Sequence, residues 1–270
     1  VLFLVSCSKD SIDPAPQPPV KEEFHMSEAP ANVPVIEIIT DRQADVVSKE
    51  EYLRARITVK ENNSVKIQSF CNIKGRGNYT WDVYPKKPYK IKLSKKSDLL
   101  FRGESQYEDK DWVLLRVYEG FPIRLLVGQM VGQKVGLGWH PQWEYVNLVI
   151  NGDYKGDYIL IESIEREKGR LNIGATGYLI EDDAYWWNED VYFKGDMLAH
   201  QTGYTFKYPK SENINDSILS NIKDYILAFE NALARDEDIS PYIDIESFAA
   251  WLLAQDILGQ EDSGGTNRFL

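Results

Sequence analysis

The stretch YVNLVINGDYKGDYILIESI, residues 145–164, constrains the fold more than any other part of the chain. Two apolar, β-branched segments meet at Asn151-Gly152, a dipeptide that readily takes the positive φ angles of a two-residue hairpin turn. A lone hairpin is marginal in water, so these strands require a larger sheet to pair with. The chain supplies it. VPVIEII (33–39), LRARITVK (53–60) and VKIQSFCNI (65–73) alternate in the same way, and Glu61-Asn62-Asn63 joins the last two as a second expected hairpin. In KKPYKIKL (86–93), Tyr89, Ile91 and Leu93 share one face while Lys90 and Lys92 share the other. DWVLLRVY (111–118) reads as a further strand.

One helix interrupts this series. In FPIRLLVGQMVGQKVG, Ile123, Leu126, Val127, Met130 and Val131 recur at helical spacing, and Pro122 suits a first turn. Beyond residue 165 come a short strand GYLIEDD, an aromatic loop AYWWNEDVYF, a strand TFKYP and two helices. The first helix, from about Asp216, aligns Ile218, Ile222, Ile226, Phe229 and Leu233. The second, capped by Asp244, is expected to turn Phe248, Trp251, Leu252 and Leu258 inward before Gly259 ends it. The expectation is an α+β fold of two lobes, β-rich first and more helical second.

Charge and cysteine content narrow the function. With 31 basic and 42 acidic residues, the net charge of -11 repels nucleic acid and anionic membranes on average. Two cysteines, Cys7 and Cys71, make no disulfide framework. Cys71 reads as an inert apolar residue within the sheet. VLFLVSC resembles a lipoprotein lipobox, with Cys7 the acylated residue, and the proline-rich stretch 8–32 reads as a flexible tether leading to a domain over 33–270. The opposing reading of 1–7 is an apolar terminal strand. No apolar segment reaches transmembrane length. Acylation implies a cell-envelope protein, periplasmic or at the cell surface.

The chemistry-bearing positions are individually ambiguous. GRGNYTW (75–81) brings glycines and Arg76 to a turn, which suits either an anion cradle or a solvated hairpin. The four lysines of KKPYKIKL fit phosphate contacts or a solvated strand face, and Arg124 fits an anion contact or a carboxylate pair. Glu181, Asp182 and Asp183 followed by Trp186 and Trp187 fit a ligand rim, a turn, or a surface for polysaccharide or protein. Asp262 in QEDSGGTN is equally a polar turn after a helix cap. His25, His140 and His200 have no metal or triad spacing, and no Walker A or dinucleotide motif occurs.

Taken in order, IKGRGNYTW, KKPYKIKL, KDWVLLRVYEGFPIRLLVG, VNLVINGDYKGDYILIESI and QEDSGGTN resemble the spore coat protein H (CotH) kinase-like family from about Val33 to Leu270. That resemblance implies a diverged protein-kinase fold that moves the γ-phosphoryl of ATP, with Mg²⁺ or Mn²⁺, to Ser or Thr of an envelope or secreted protein. By residue, it implies Asp262 as the catalytic acidic group and Asn267 as a metal ligand, five positions apart as in the kinase catalytic loop. Arg76, Arg124 and Lys87 or Lys90 would contact phosphates, Lys87 in preference, and Tyr178 and Glu181 would contact adenine. The family places a second metal-binding Asp beyond Leu270, so a complete active site is expected only in a longer chain. The alternative is a non-catalytic surface lipoprotein that binds a polysaccharide or protein partner.

Overall fold

The computed structural model describes residues 33–117, 123–196, 203–260 and 268–270. Cys7, the tether, Asp262 and Asn267 lie outside the described residues. The protein is mixed α and β, with a sheet-rich body.

The alternating segments form β1 (Val35–Thr40), β2 (Leu53–Glu61), β3 (Ser64–Gly75), β4 (Tyr89–Ser97), β5 (Asp109–Arg116), β6 (Trp143–Ile150) and β7 (Asp153–Glu162). Asn62 and Asn63 (φ 49° and 61°) close the β2–β3 hairpin, and Asn151 and Gly152 (φ 55° and 82°) close β6–β7. Both expected hairpins are present, and in each turn both central residues take positive φ.

The expected division into two lobes, β-rich first and more helical second, is corrected. These strands close into a barrel in the order β1-β2-β3-β4-β5-β7-β6, sealed by parallel pairing of β1 with β6. Every strand turns one face inward, so the barrel fills with Ile36, Ile38, Ile57, Val59, Ile73, Ile91, Trp112, Leu114, Leu148, Tyr158 and Leu160. Closure leaves no strand edge exposed. Cys71 is buried in this core, and burial pushes its thiol up to about 12, which keeps it protonated and inert.

Two local expectations also change. GRGNYTW is not only a loop, because Tyr79–Val83 forms a short helix, α1. KKPYKIKL does not put four lysines on one strand either. Pro88 has no N–H for the ladder, β4 begins at Tyr89, and Lys86 and Lys87 precede it.

Outside the barrel, α2 (Arg124–Val135) covers the outer surface of β5 and β7, where Leu125 packs with Val113, Val117, Ile159 and Ile161. A second sheet has the order β11-β8-β10-β9, from β8 (Leu179–Asp183), β9 (Tyr192–Phe193), β10 (Gly203–Tyr208) and β11 (Arg268–Phe269). The second half is therefore not simply helical. α3 (Asp216–Ala234) lays Ile226 on Ile180, Phe193 and Phe206 of this sheet.

α4 (Ile245–Leu258) is capped as expected. Asp244 Oδ1 accepts the Ser247 N–H at 3.0 Å, and Gly259 ends the helix at φ 56°. Its orientation departs from expectation, since Phe248 and Leu252 are exposed and Ala254 is the buried residue. The helix is apolar all round, so sequence periodicity cannot choose its buried face. Ile257 meets Val127, Val131 and Val135 of α2 across an apolar groove.

Candidate functional site

The glycine loop is built from the end of β3. The Trp81 ring lies directly on Gly75, leaving no room for a Cβ there, and Gly77 takes φ 79°. Asn78 opens α1 by accepting the Trp81 and Asp82 N–H groups on its carbonyl, while its side chain accepts Lys49 Nζ at 2.9 Å. From inside the barrel, the Tyr158 hydroxyl donates to the Lys87 carbonyl at 2.8 Å. Lys87 Nζ donates to the Trp81 carbonyl and sits 5.5 Å over its ring. Glycine loop, α1 and Lys87 thus form one packed unit at one end of the barrel.

Arg76 projects from that unit and is mostly buried. Burial lowers its pKa, and the nearby charge of Glu181 on β8 partly offsets that. Two of the sequence-expected residues, one from the barrel and one from the second sheet, are therefore electrostatic neighbours. Glu181 is pushed up by burial and opposed by Lys207, which donates to it at 2.7 Å. Burial works to lower the Lys207 pKa, but the bond to Glu181 and the charges of Glu181, Glu189 and Asp183 raise it overall. Lys207 escaped the sequence reading. It lies two residues beyond Thr205, the cross-strand partner of Glu181, where a diagonal ion pair forms readily.

The two flanks of the 261–267 segment are held by different elements, α2 before it and β8 after it. Before it, Gln260 Oε1 accepts Arg124 Nη2 at 3.1 Å. After it, Arg268 pairs with buried Asp182, and Leu270 exchanges backbone hydrogen bonds of 2.8 and 3.0 Å with Ile180. Both contacts on the far flank fall on β8, the strand that carries Glu181.

The other expected residues have partners of their own. Lys90 faces outward on β4 opposite Lys74 and pairs with Asp111 at 3.1 Å. Tyr178 packs half-buried with the cluster of Ile180, Phe193 and Phe206, so its ring belongs to the packing beneath α3.

Asp109, Asp111 and Glu165 hold carboxylate oxygens within 4.8 Å of one another, close enough to share a cation. They are already balanced. Lys90 lies 3.1 Å from Asp111, Lys96 lies 3.9 Å from Asp109, and Arg170 pairs with Glu165. Burial pushes Glu165 up to about 7, against the opposing pull of Arg170. Three carboxylates facing three cations do not call for a metal. On β8, likewise, Glu181 and Asp183 are engaged by Lys207 and Asp182 by Arg268. The divalent-ion expectation therefore rests on Asn267, which lies outside the described residues.

A family model described as CotH kinase protein matches residues 73–270. No curated protein matches the chain.

Proposed function

Since the chain belongs to the CotH kinase family, we propose that it transfers the γ-phosphoryl group of ATP to a Ser or Thr hydroxyl on an envelope or secreted protein, using a diverged kinase-like fold. The observation that carries this reading is the convergence on β8. Arg76 of the glycine loop neighbours Glu181, and β11, the strand that follows residue 267, is joined to β8 through Arg268 and Asp182.

In this reading Arg76 and Lys87 take the phosphates. Lys87 has no carboxylate partner among the described residues, whereas Lys90 is already paired with Asp111. A desolvated guanidinium suits a phosphate, because charge-assisted hydrogen bonds strengthen where water is excluded. Asp262 accepts the acceptor's proton as the hydroxyl oxygen bonds to the γ-phosphorus and the bond to the β–γ bridging oxygen breaks, releasing ADP. Asn267 would hold Mg²⁺, which when bound offsets phosphate charge. Glu181 borders the nucleotide, holds Lys207 and lends its charge to Arg76.

Ligand-induced stabilisation tests the binding half of this reading. ATP with Mg²⁺ at about 100 times its Kd stabilises the folded state by about 2.7 kcal/mol and raises the melting temperature. Arg76→Gln and Lys87→Gln should each shrink that rise. An equal rise in both variants would remove these two residues from the site.

The same proposal places the protein on the cell envelope, with Cys7 acylated and 8–32 as tether. Labelled palmitate should be incorporated by the protein in a bacterial host and lost in Cys7→Ala; incorporation by both would refute the anchor.

A further inference from the structure

Trp186 and Trp187, with the aromatic residues around them, take no part in the phosphoryl-transfer reading. We infer that this loop between β8 and β9 is a docking platform for a neutral polysaccharide chain.

The platform is rigid. Trp186 packs against Gly203 at the start of β10, where a Cβ would collide with the indole, and Lys194 Nζ sits 4.1 Å over the same ring. Against this pillar lean Tyr192, with ring centroids 4.6 Å apart, and Trp187, at 5.6 Å and 84°. Tyr185 stands 5.6 Å from Trp187. Backbone bonds hold the turn. Asp183 accepts the Tyr185 N–H at 2.8 Å, and the Tyr185 and Trp186 carbonyls accept the Asn188 and Glu189 N–H groups at 2.9 and 3.1 Å.

Although fixed, three of these rings face solvent: Tyr185 is 42%, Trp187 57% and Tyr192 41% exposed. Rings held in place by their neighbours yet open to solvent have already lost the conformational freedom that binding would otherwise take from them.

The chemistry around the rings selects the occupant. Asn188, Glu189 and Asp190 are exposed in the same turn. Aromatic faces followed by planar acceptors match a pyranose, which offers a C–H face to stack and vicinal hydroxyls to donate. An anionic glycan is disfavoured by these carboxylates and by the net charge of -11. A protein partner fits less well, because the cores of protein interfaces are depleted in Glu and Asp. The platform directly follows β8, and Glu189 Oε1 lies 3.7 Å from Lys207 Nζ. A bound glycan would therefore hold the protein on a polymer beside the nucleotide site, whether or not phosphoryl transfer occurs.

Affinity electrophoresis tests this in native gels containing hydroxyethylcellulose, arabinoxylan, galactomannan or starch, with alginate as the anionic comparison. At least one neutral gel should retard the protein. Trp187→Ala should weaken that retardation roughly tenfold, equivalent to about 1.4 kcal/mol, while leaving the melting temperature and its response to ATP unchanged. Four neutral gels without retardation would overturn the inference, as would retardation by alginate alone or retardation that survives both Trp187→Ala and Tyr185→Ala. Trp187-dependent binding to poly-lysine with no neutral gel effective would assign the platform to a cationic protein instead.

Discussion

Replacing Arg268 by Met should release the strand that follows the 261–267 segment while leaving the barrel intact. The reasoning starts from burial: Asp182 is 4% exposed at its side chain and Arg268 23%. Removing one partner of a buried ion pair costs about 3–5 kcal/mol, because the remaining charge is stranded without compensation. Arg268 is partly solvated, so the lower end, about 3 kcal/mol, is expected. Its guanidinium also sits 5.7 Å from the Trp251 ring centroid, a contact worth about 0.5 kcal/mol more. The loss is local, because β11 adds only two ladder pairs and the Leu270–Ile180 bonds to the edge of β8. Once β11 detaches, water reaches Asp182 and the remainder of the fold is spared. Amide hydrogen exchange reads this directly. The Ile180 and Leu270 N–H groups should exchange about three hundredfold faster, since each 1.4 kcal/mol is a factor of ten, with amides of β2 and β3 unchanged. The double variant Arg268→Met/Asp182→Leu should recover most of the protection, because an apolar pair of similar volume replaces a buried ion pair at little cost. Unchanged exchange at Ile180, or equal acceleration throughout the barrel, would refute the argument.

Gly75→Ala places a methyl group into the Trp81 ring and should lower stability in urea by about 1–3 kcal/mol, as overpacking does. Gly138→Ala, where a Cβ meets nothing within 4 Å, should change it by less than about 0.5 kcal/mol; similar losses in both would contradict the packing described for the glycine loop. Glu165 makes stability depend on pH. Its pKa is 4.5 unfolded and about 7 folded, so between those values the folded state holds more protons and stability falls as pH rises. The fall should reach about 3 kcal/mol at most, and Glu165→Gln should flatten it in pH-dependent urea titrations. A slope of the opposite sign over that window would show Glu165 to be stabilised as its carboxylate.

The sequence displays its hairpins because turn chemistry and period-two alternation are local properties. Asn62-Asn63 and Asn151-Gly152 reveal where the chain reverses, and Tyr89, Ile91 and Leu93 reveal which face is buried. Closure of the barrel is not legible in the same way. It depends on β1 pairing in parallel with β6, more than a hundred residues later, and an inward-facing strand reads identically in an open sheet. Helix α4 shows the opposite failure: its ends are plain from Asp244 and Gly259, but a helix apolar on every side does not declare its core face.

The same contrast runs through the site. Arg76 and Glu181 are recognisable as chemistry-bearing residues, and the fold makes them neighbours. Lys207 and Arg268, which neutralise the carboxylates of β8, are hidden because their roles follow from cross-strand register rather than from any motif. Lys87 and Lys90 look equivalent in KKPYKIKL until Pro88 separates them, one on the glycine-loop unit and the other on a barrel strand facing Asp111.

Transfer of labelled γ-phosphate from ATP to protein, compared between the unsubstituted chain and Asp262→Asn in a polypeptide extended past Leu270, addresses the central claim most directly. The account predicts incorporation that requires Mg²⁺ or Mn²⁺ and disappears in Asp262→Asn while the melting curve is unchanged. Equal incorporation by the two proteins would contradict it.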